Sequence, residues 1–135
     1  MRAIIQRAKN CSIQINEDIH RSMDDGLFIL LGIEEEDDET DISWLAQKII
    51  NMRIFSDDEG KMNLSVSNVS GGILIVSQFT LYASTKKGNR PSFLKSAKPA
   101  FATPLYEQFI QECKTLYELP EKIITGEFGA DMKIT

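Results

Sequence analysis

Gly71-Gly72-Ile73-Leu74-Ile75-Val76-Ser77-Gln78-Phe79-Thr80-Leu81-Tyr82-Ala83 is the stretch on which the reading of this chain turns. Four aliphatic residues in a row behind a glycine pair predict a buried strand. The apolar run passes directly into Ser77, Gln78 and Thr80, a polar cluster at the end of the core. Each of these groups needs a partner if buried, because an unpaired hydroxyl or amide costs ~1–3 kcal/mol. If the strand continues to Ala83, alternation places Gln78 and Thr80 on one face and Ser77 and Phe79 on the other. The pattern alone leaves two readings open. One is a strand simply leaving the core, with Thr80 a good β-former; the other is a strand that delivers polar groups to a site.

Outward from this segment, strand-like patterns cover 2–8, 11–15, 27–33, 53–55, 73–83, 122–125 and 131–135. Asn16-Glu17-Asp18 and Ser56-Asp57-Asp58-Glu59-Gly60 supply turn chemistry between them. Two helices stand out. Ile42, Leu45, Ala46, Ile49 and Ile50 recur at helical spacing behind Asp38 or Thr40 as N-cap. Thr103 followed by Pro104 reads as a cap with proline at the first helical position. Leu105, Phe109, Ile110, Cys113 and Leu116 then form an apolar stripe that Pro120 stops. The expected fold is α+β: a single domain over residues 1–135, with a mostly antiparallel, barrel-like sheet and two packed helices.

Composition excludes several classes of function. The 135 residues are 42% hydrophobic with four prolines, which suits one ordinary globular domain. No apolar run approaches the roughly 20 residues needed to span a bilayer, and the start lacks the layout of a signal peptide. Cys11 and Cys113 lie far apart without CxxC spacing, so they read as reduced structural thiols in a cytosolic protein. His20 is the only histidine, which rules out clustered-histidine metal sites, and its polar surroundings mark it as a surface residue. No metal and no organic cofactor is expected. Glu34 to Glu39 is an unbroken acidic run, read as a solvated loop that favours the helix N-terminus behind it. Asp57-Asp58-Glu59-Gly60 lacks the spacing of a calcium loop and reads as a turn.

Charge is unevenly spread. Five of the 15 basic residues, Lys86, Lys87, Arg90, Lys95 and Lys98, fall in one stretch that contains no acidic residue. Ten basic residues then face all 20 acidic ones elsewhere. Such a chain is poorly suited to coating nucleic acid and well suited to holding a few phosphates at one place. Lys86, Lys87 and Arg90 are the candidate phosphate contacts; a solubilising loop is the alternative.

Ser77-Gln78-Phe79-Thr80-Leu81-Tyr82-Ala83 closely resembles the SQxT signature of the D-aminoacyl-tRNA deacylases. Met1 to Arg7 is similar to the first strand of that family, and Gly26 to Ile33 to its next long one. Arg53-Ile54-Phe55, Gly60 to Ser65, Arg90-Pro91-Ser92-Phe93 and Thr125 to Met132 match it in order and spacing. The likeness covers essentially the whole chain. It implies a barrel-like α+β fold, a homodimer with the active site near the interface, and D-aminoacyl-tRNA as the substrate.

The chemistry follows from what the chain lacks. Hydrolysis of an aminoacyl ester needs a positioned water and stabilisation of an oxyanion. Without a usable imidazole the candidates are hydroxyls, backbone N–H groups and the substrate's own 2′-hydroxyl. The resemblance implies that backbone groups around Phe79 and Thr80 line the ester and that the 2′-hydroxyl does much of the work. Thr80 is then the catalytic orienter, with Ser77, Gln78 and Phe79 shaping the pocket. Phe128 and Met132 line it for the terminal adenosine by resemblance, although as plain sequence both read as core. Arg7 resembles the family's first-strand arginine, and the resemblance implies that it fixes an Asn-x-Gly-Pro-x-Thr segment, which in the family enters the partner's pocket and rejects L-amino acids. That segment is absent up to Thr135, and Met132-Lys133-Ile134-Thr135 alternates like a strand cut midway, which favours an incomplete tail. Two rival readings stand beside the enzyme. One is a non-catalytic tRNA- or nucleotide-binding homodimer of the same fold; the other is a purely structural dimerising protein.

Overall fold

The computed structural model describes residues 1–135. Its centre is a four-stranded sheet in the order β1 (Arg2–Ala8), β4 (Gly26–Gly32), β7 (Gly72–Ser77) and β8 (Ile123–Thr125). β1 pairs antiparallel with β4, whereas β4 with β7 and β7 with β8 are parallel. Each parallel pair needs a crossover. α1 (Glu39–Asn51) lies in the first and α2 (Pro99–Leu116) in the second. Because both crossovers step the same way across the sheet, a common hand puts both helices on one face. Leu27, Ile29, Leu31, Ile73 and Ile75 form the main core there with Ile42, Ala46, Ile49, Tyr106, Phe109 and Cys113 of the helices.

The opposite face is covered over part of its width by a second, antiparallel sheet. Its order is β3 (Ile19–Met23), β2 (Cys11–Ile15) and β9 (Met132–Ile134). Cys11, Ile13, Ile15 and Met23 pack there on Leu74 and Val76. β7 is therefore buried on both faces, which is why it reads as an unbroken aliphatic run and not as an alternation. A short hairpin of β5 (Phe55–Ser56) and β6 (Met62–Leu64) completes the fold.

The α+β class holds, and four of the six strand pairs are antiparallel. The two sheets do not close into a barrel. Several boundaries differ from expectation. The strand expected over 73–83 ends at Ser77, and Phe79–Tyr82 form a 3-10 turn. β4 ends at Gly32, so the last ladder bond is Gln78 N–H to the Leu31 carbonyl at 2.8 Å, and the chain then turns. α2 starts at Pro99, behind Lys98, and Pro104 lies inside it. Buried Ala102 carries the apolar stripe back one turn, so Pro99, and not Pro104, takes the first helical position. α1 begins as expected: Asp38 accepts from the Thr40 and Asp41 amides, and the Asp41 carboxylate accepts from the Asp38 amide, a full capping box. β3 went unread because Ile19, His20 and Ser22 are all exposed and leave no apolar alternation.

The acidic run is only partly solvated. Asp37 is buried, ion-paired with the Met1 ammonium, and accepts from the Glu34 amide at 2.8 Å. The ammonium and that N–H supply what a buried carboxylate requires.

One contact fixes the spacing of the central strands. A Cβ on Gly26 would lie 1.9 Å from the Gly72 carbonyl oxygen, so only glycine lets β4 and β7 meet at this end.

Candidate active site

The polar residues behind β7 are held by the start of the chain. Arg2 Nη1 donates to the Leu81 carbonyl at 3.0 Å, and its guanidinium sits 4.4 Å over the Tyr82 ring. Tyr82 is buried and donates to Glu34 Oε1 at 3.1 Å. Burial, with the Asp37 and Glu34 carboxylates nearby, pushes the Tyr82 hydroxyl far up, so it remains a donor. Gly32 lies beneath the turn; a Cβ there would come within 3.0 Å of Leu81 Cβ. Inside this frame Gln78 Nε2 donates to Thr80 Oγ1.

Ser77, Gln78 and Phe79 open onto a cavity of about 700 Å³, of the size that small ligands occupy. The loop before α2 contributes Phe93, whose ring meets that of Phe79 edge-on at 5.3 Å, together with Ser96. Pro99 and Ala102 of α2 close one side. The segment Phe128 to Met132 closes the other. Eleven of the 17 lining residues are hydrophobic, and Asp131 is the only charged one. No ion pair engages the Asp131 carboxylate.

Tyr106 ties the two sides together from below. Its buried hydroxyl donates to the Ile75 carbonyl at 2.9 Å and lies 3.4 Å from that of Gly126. Its ring packs against Phe128 at 6.0 Å. Arg21 Nη1 donates to the carbonyl of Thr125 and, at 3.1 Å, to its Oγ1. These bonds hold the exit of β8, from which the Phe128 segment departs.

The residues singled out in the sequence fall into three groups. Ser77, Gln78, Phe79, Phe128 and Met132 meet in the cavity wall. Thr80 is half-buried one residue beyond it, with its hydroxyl on Gln78. Lys86, Lys87 and Arg90 are exposed on the loop between the turn and α2. Arg7 is also exposed, on the edge strand opposite Leu27, and is not part of the wall. Sequence reasoning missed Phe93, Ser96 and Asp131. Phe93 closes the Arg-Pro-Ser-Phe block, which was the available signal.

Neither thiol bears on the cavity. Both are buried, and burial pushes Cys113 up to about 12 and raises Cys11. His20 is exposed on β3 opposite Gln14. No three His, Cys, Asp or Glu side chains converge to hold a metal ion, and no helix is long and apolar enough to cross a membrane.

The family model for D-Tyr-tRNA(Tyr) deacylase matches residues 4–135, and the chain belongs to that deacylase family. A protein of Cytophaga hutchinsonii named D-aminoacyl-tRNA deacylase is 54% identical over 134 residues, 99% of this chain and 88% of that protein. One of Bacteroides fragilis with the same name is 53% identical over 135 residues, 99% of this chain and 88% of its own length. Among solved structures, a c-Myc DNA Unwinding Element Binding Protein superposes with a TM-score of 0.92 at 35% identity, covering 99% of this chain and 89% of that one. A probable eukaryotic D-amino acid tRNA deacylase shares the fold at a TM-score of 0.81 and 16% identity, covering 98% and 92%.

Proposed function

We propose that this chain hydrolyses the ester of D-aminoacyl-tRNA to free D-amino acid and tRNA. The carrying observation is the meeting of Ser77, Gln78 and Phe79 with Phe128 and Met132 in one largely apolar cavity beside a helical turn. Such a cavity takes the aminoacylated adenosine end of a tRNA, with the ester at the mouth. Water adds to the ester carbonyl carbon, the acyl–oxygen bond breaks, and the ribose oxygen leaves as a hydroxyl after taking a proton. The opening amides of a helical turn have no partner within it. Those of Phe79 and Thr80 therefore suit the oxyanion that forms. Thr80 accepts from Gln78, which leaves its own O–H free to donate and orients it. The neighbouring 2′-hydroxyl of the substrate carries the proton traffic, in a wall that offers no imidazole for it.

Lys86, Lys87 and Arg90 supply positive charge for the phosphates that follow the terminal adenosine. Self-association suits the uncovered part of the central sheet, where Ile4 is 54% exposed beside half-buried Phe28 and Leu30. A Gly-Pro segment, where one follows β9, would enter the partner's pocket and reject L-amino acids, with Arg7 holding it.

One observation favours a second reading, a tRNA- or nucleotide-binding homodimer without catalysis: Asp131 is the only charged side chain in the wall. A turnover assay on matched D- and L-aminoacyl-tRNA decides between them. Release of free D-amino acid at a rate proportional to enzyme supports hydrolysis; stoichiometric binding without release rejects it.

A further inference from the structure

Ser96 Oγ is the buried side-chain polar atom that finds no hydrogen-bond partner anywhere in the protein. Ser96 also borders the cavity. An orphaned buried hydroxyl is destabilising, and native folds retain few of them. The orphan is not a result of slack in the loop. The Ser96 amide donates to the Phe93 carbonyl at 3.0 Å, the next amide, of Ala97, donates to the Ile33 carbonyl at 2.9 Å, and Ser96 bridges Glu34 across an antiparallel pairing. The backbone is pinned on both sides, so rotation about the Cα–Cβ bond is the freedom left to the hydroxyl. Among the other residues that line the cavity, Ile33, Phe93, Ala97, Pro99 and Ala102 provide no side-chain acceptor, and Ser77, Gln78 and Asp131 make no hydrogen bond to the Ser96 hydroxyl. The partner that would satisfy this hydroxyl is one that arrives in the cavity.

We infer that Ser96 is a specificity-determining residue whose hydroxyl hydrogen-bonds a polar edge of the aminoacyl-adenosine end lodged in the cavity. This rests on the deacylase reading of the same cavity and adds a polar group to its largely apolar wall. A serine hydroxyl both donates and accepts, so the adenine edge and the aminoacyl group both fit it chemically. Removing it leaves an unpaired polar atom on the ligand and none on the protein.

The test measures the affinity of wild-type, Ser96→Ala and Ser96→Gly proteins by titration calorimetry with two probes. One is adenosine 5′-monophosphate; the other is 3′-amino-3′-deoxyadenosine carrying a D-tyrosyl amide, which is not hydrolysed as an ester. Both variants are expected to bind about 3- to 10-fold more weakly, the loss of one neutral hydrogen bond. Thermal stability of Ser96→Ala should be equal or slightly higher, since the lost hydroxyl has no partner in the free protein. Equal weakening with both probes assigns the hydrogen bond to the adenosine, and weakening with the amide alone assigns it to the aminoacyl part. Wild-type affinity for both probes in both variants overturns the inference, as does a fall in stability of Ser96→Ala. If the wild-type protein binds neither probe, the deacylase reading falls as well; if it binds and the variants match it, only the role of Ser96 falls.

Discussion

Gln78 donates its side-chain amide to the hydroxyl of Thr80 across the first residues of a 3-10 turn, so the two act as one unit. The bond occupies a lone pair of Thr80 and leaves its proton free to donate. Thr80→Ala should lower turnover about 10- to 1,000-fold with the fold intact, the loss of one polar contact made in the transition state. Thr80→Ser should retain most activity. A tRNA ending in 2′-deoxyadenosine should be hydrolysed at least as poorly by the wild-type protein. Full activity on that deoxy substrate would remove the substrate-assisted mechanism.

The loop carrying Lys86, Lys87 and Arg90 is exposed, and no ion pair fixes these side chains. Neutralising all three should weaken tRNA binding and flatten its salt dependence by about 0.7–0.9 in slope for each phosphate left without its cation. Thermal stability should barely change. Identical slopes for variant and wild type would show that the charges serve solubility only.

Gly126 tests the far wall. A Cβ at this position would lie 2.5 Å from Met132 Sδ, a flexible end that can yield only by moving. Gly126→Ala should therefore displace Met132 and raise KM about 3- to 10-fold with a smaller change in kcat. Its stability penalty should stay within the ~1–3 kcal/mol typical of overpacking. Unchanged KM would place Met132 outside the ligand's reach.

Burial raises the hydroxyls of Tyr82, Tyr106 and Tyr117 and the Cys113 thiol. Each group holds its proton in the folded state beyond the pH at which the unfolded chain releases it. Stability is therefore intact below the unfolded values, about 9 for the thiol and about 10 for the phenols, and falls above them. Each proton released only on unfolding steepens the fall by about 1.4 kcal/mol per pH unit. Urea midpoints from about pH 8 to 11 should decline with a rising slope, less steeply in Tyr106→Phe. A flat profile would contradict the burial of these groups.

The curated relatives are longer than the matched region: this chain spans 88% or 89% of each. A Gly-Pro segment after β9 would reject L-substrates by steric exclusion, a device acting against the wrong ligand. A protein ending at Thr135 should therefore discriminate D- from L-aminoacyl-tRNA less well than one extended by an Asn-x-Gly-Pro-x-Thr sequence. The ratio of the two deacylation rates on both forms is the measurement. Full discrimination by the shorter form would place the filter elsewhere in the chain.

What the sequence disclosed and what it hid have separate physical origins. Ile73 to Val76 announced a strand buried on both sides, and Asp38 with Asp41 announced the start of α1, because both signals are local. The change from strand to turn after Ser77 depends on where β4 ends, 45 residues earlier, and on Arg2 reaching Leu81. No pattern within residues 77–83 carries that information. The same holds for Ser96, which reaches the wall because Ala97 N–H finds the Ile33 carbonyl across the fold. Phe128 and Met132 were legible only as a family block; as periodicity they were indistinguishable from core.

β9 pairs with β2 through Ile134 opposite Ile13 and Met132 opposite Ile15, a three-residue ladder joining segments more than a hundred positions apart. The main core, with both helices and the four-stranded sheet, draws only on residues up to Thr125, apart from Phe128 at its margin. Opening of that short ladder is thus a local event, far less demanding than global unfolding. The scaffold can outlast its own binding wall: a molecule frayed or clipped after Thr125 would keep its helical signature and lose Phe128, Asp131 and Met132 from the cavity. In a cell, molecules that are still folded and molecules that are still competent would then be two different populations, ageing at different rates.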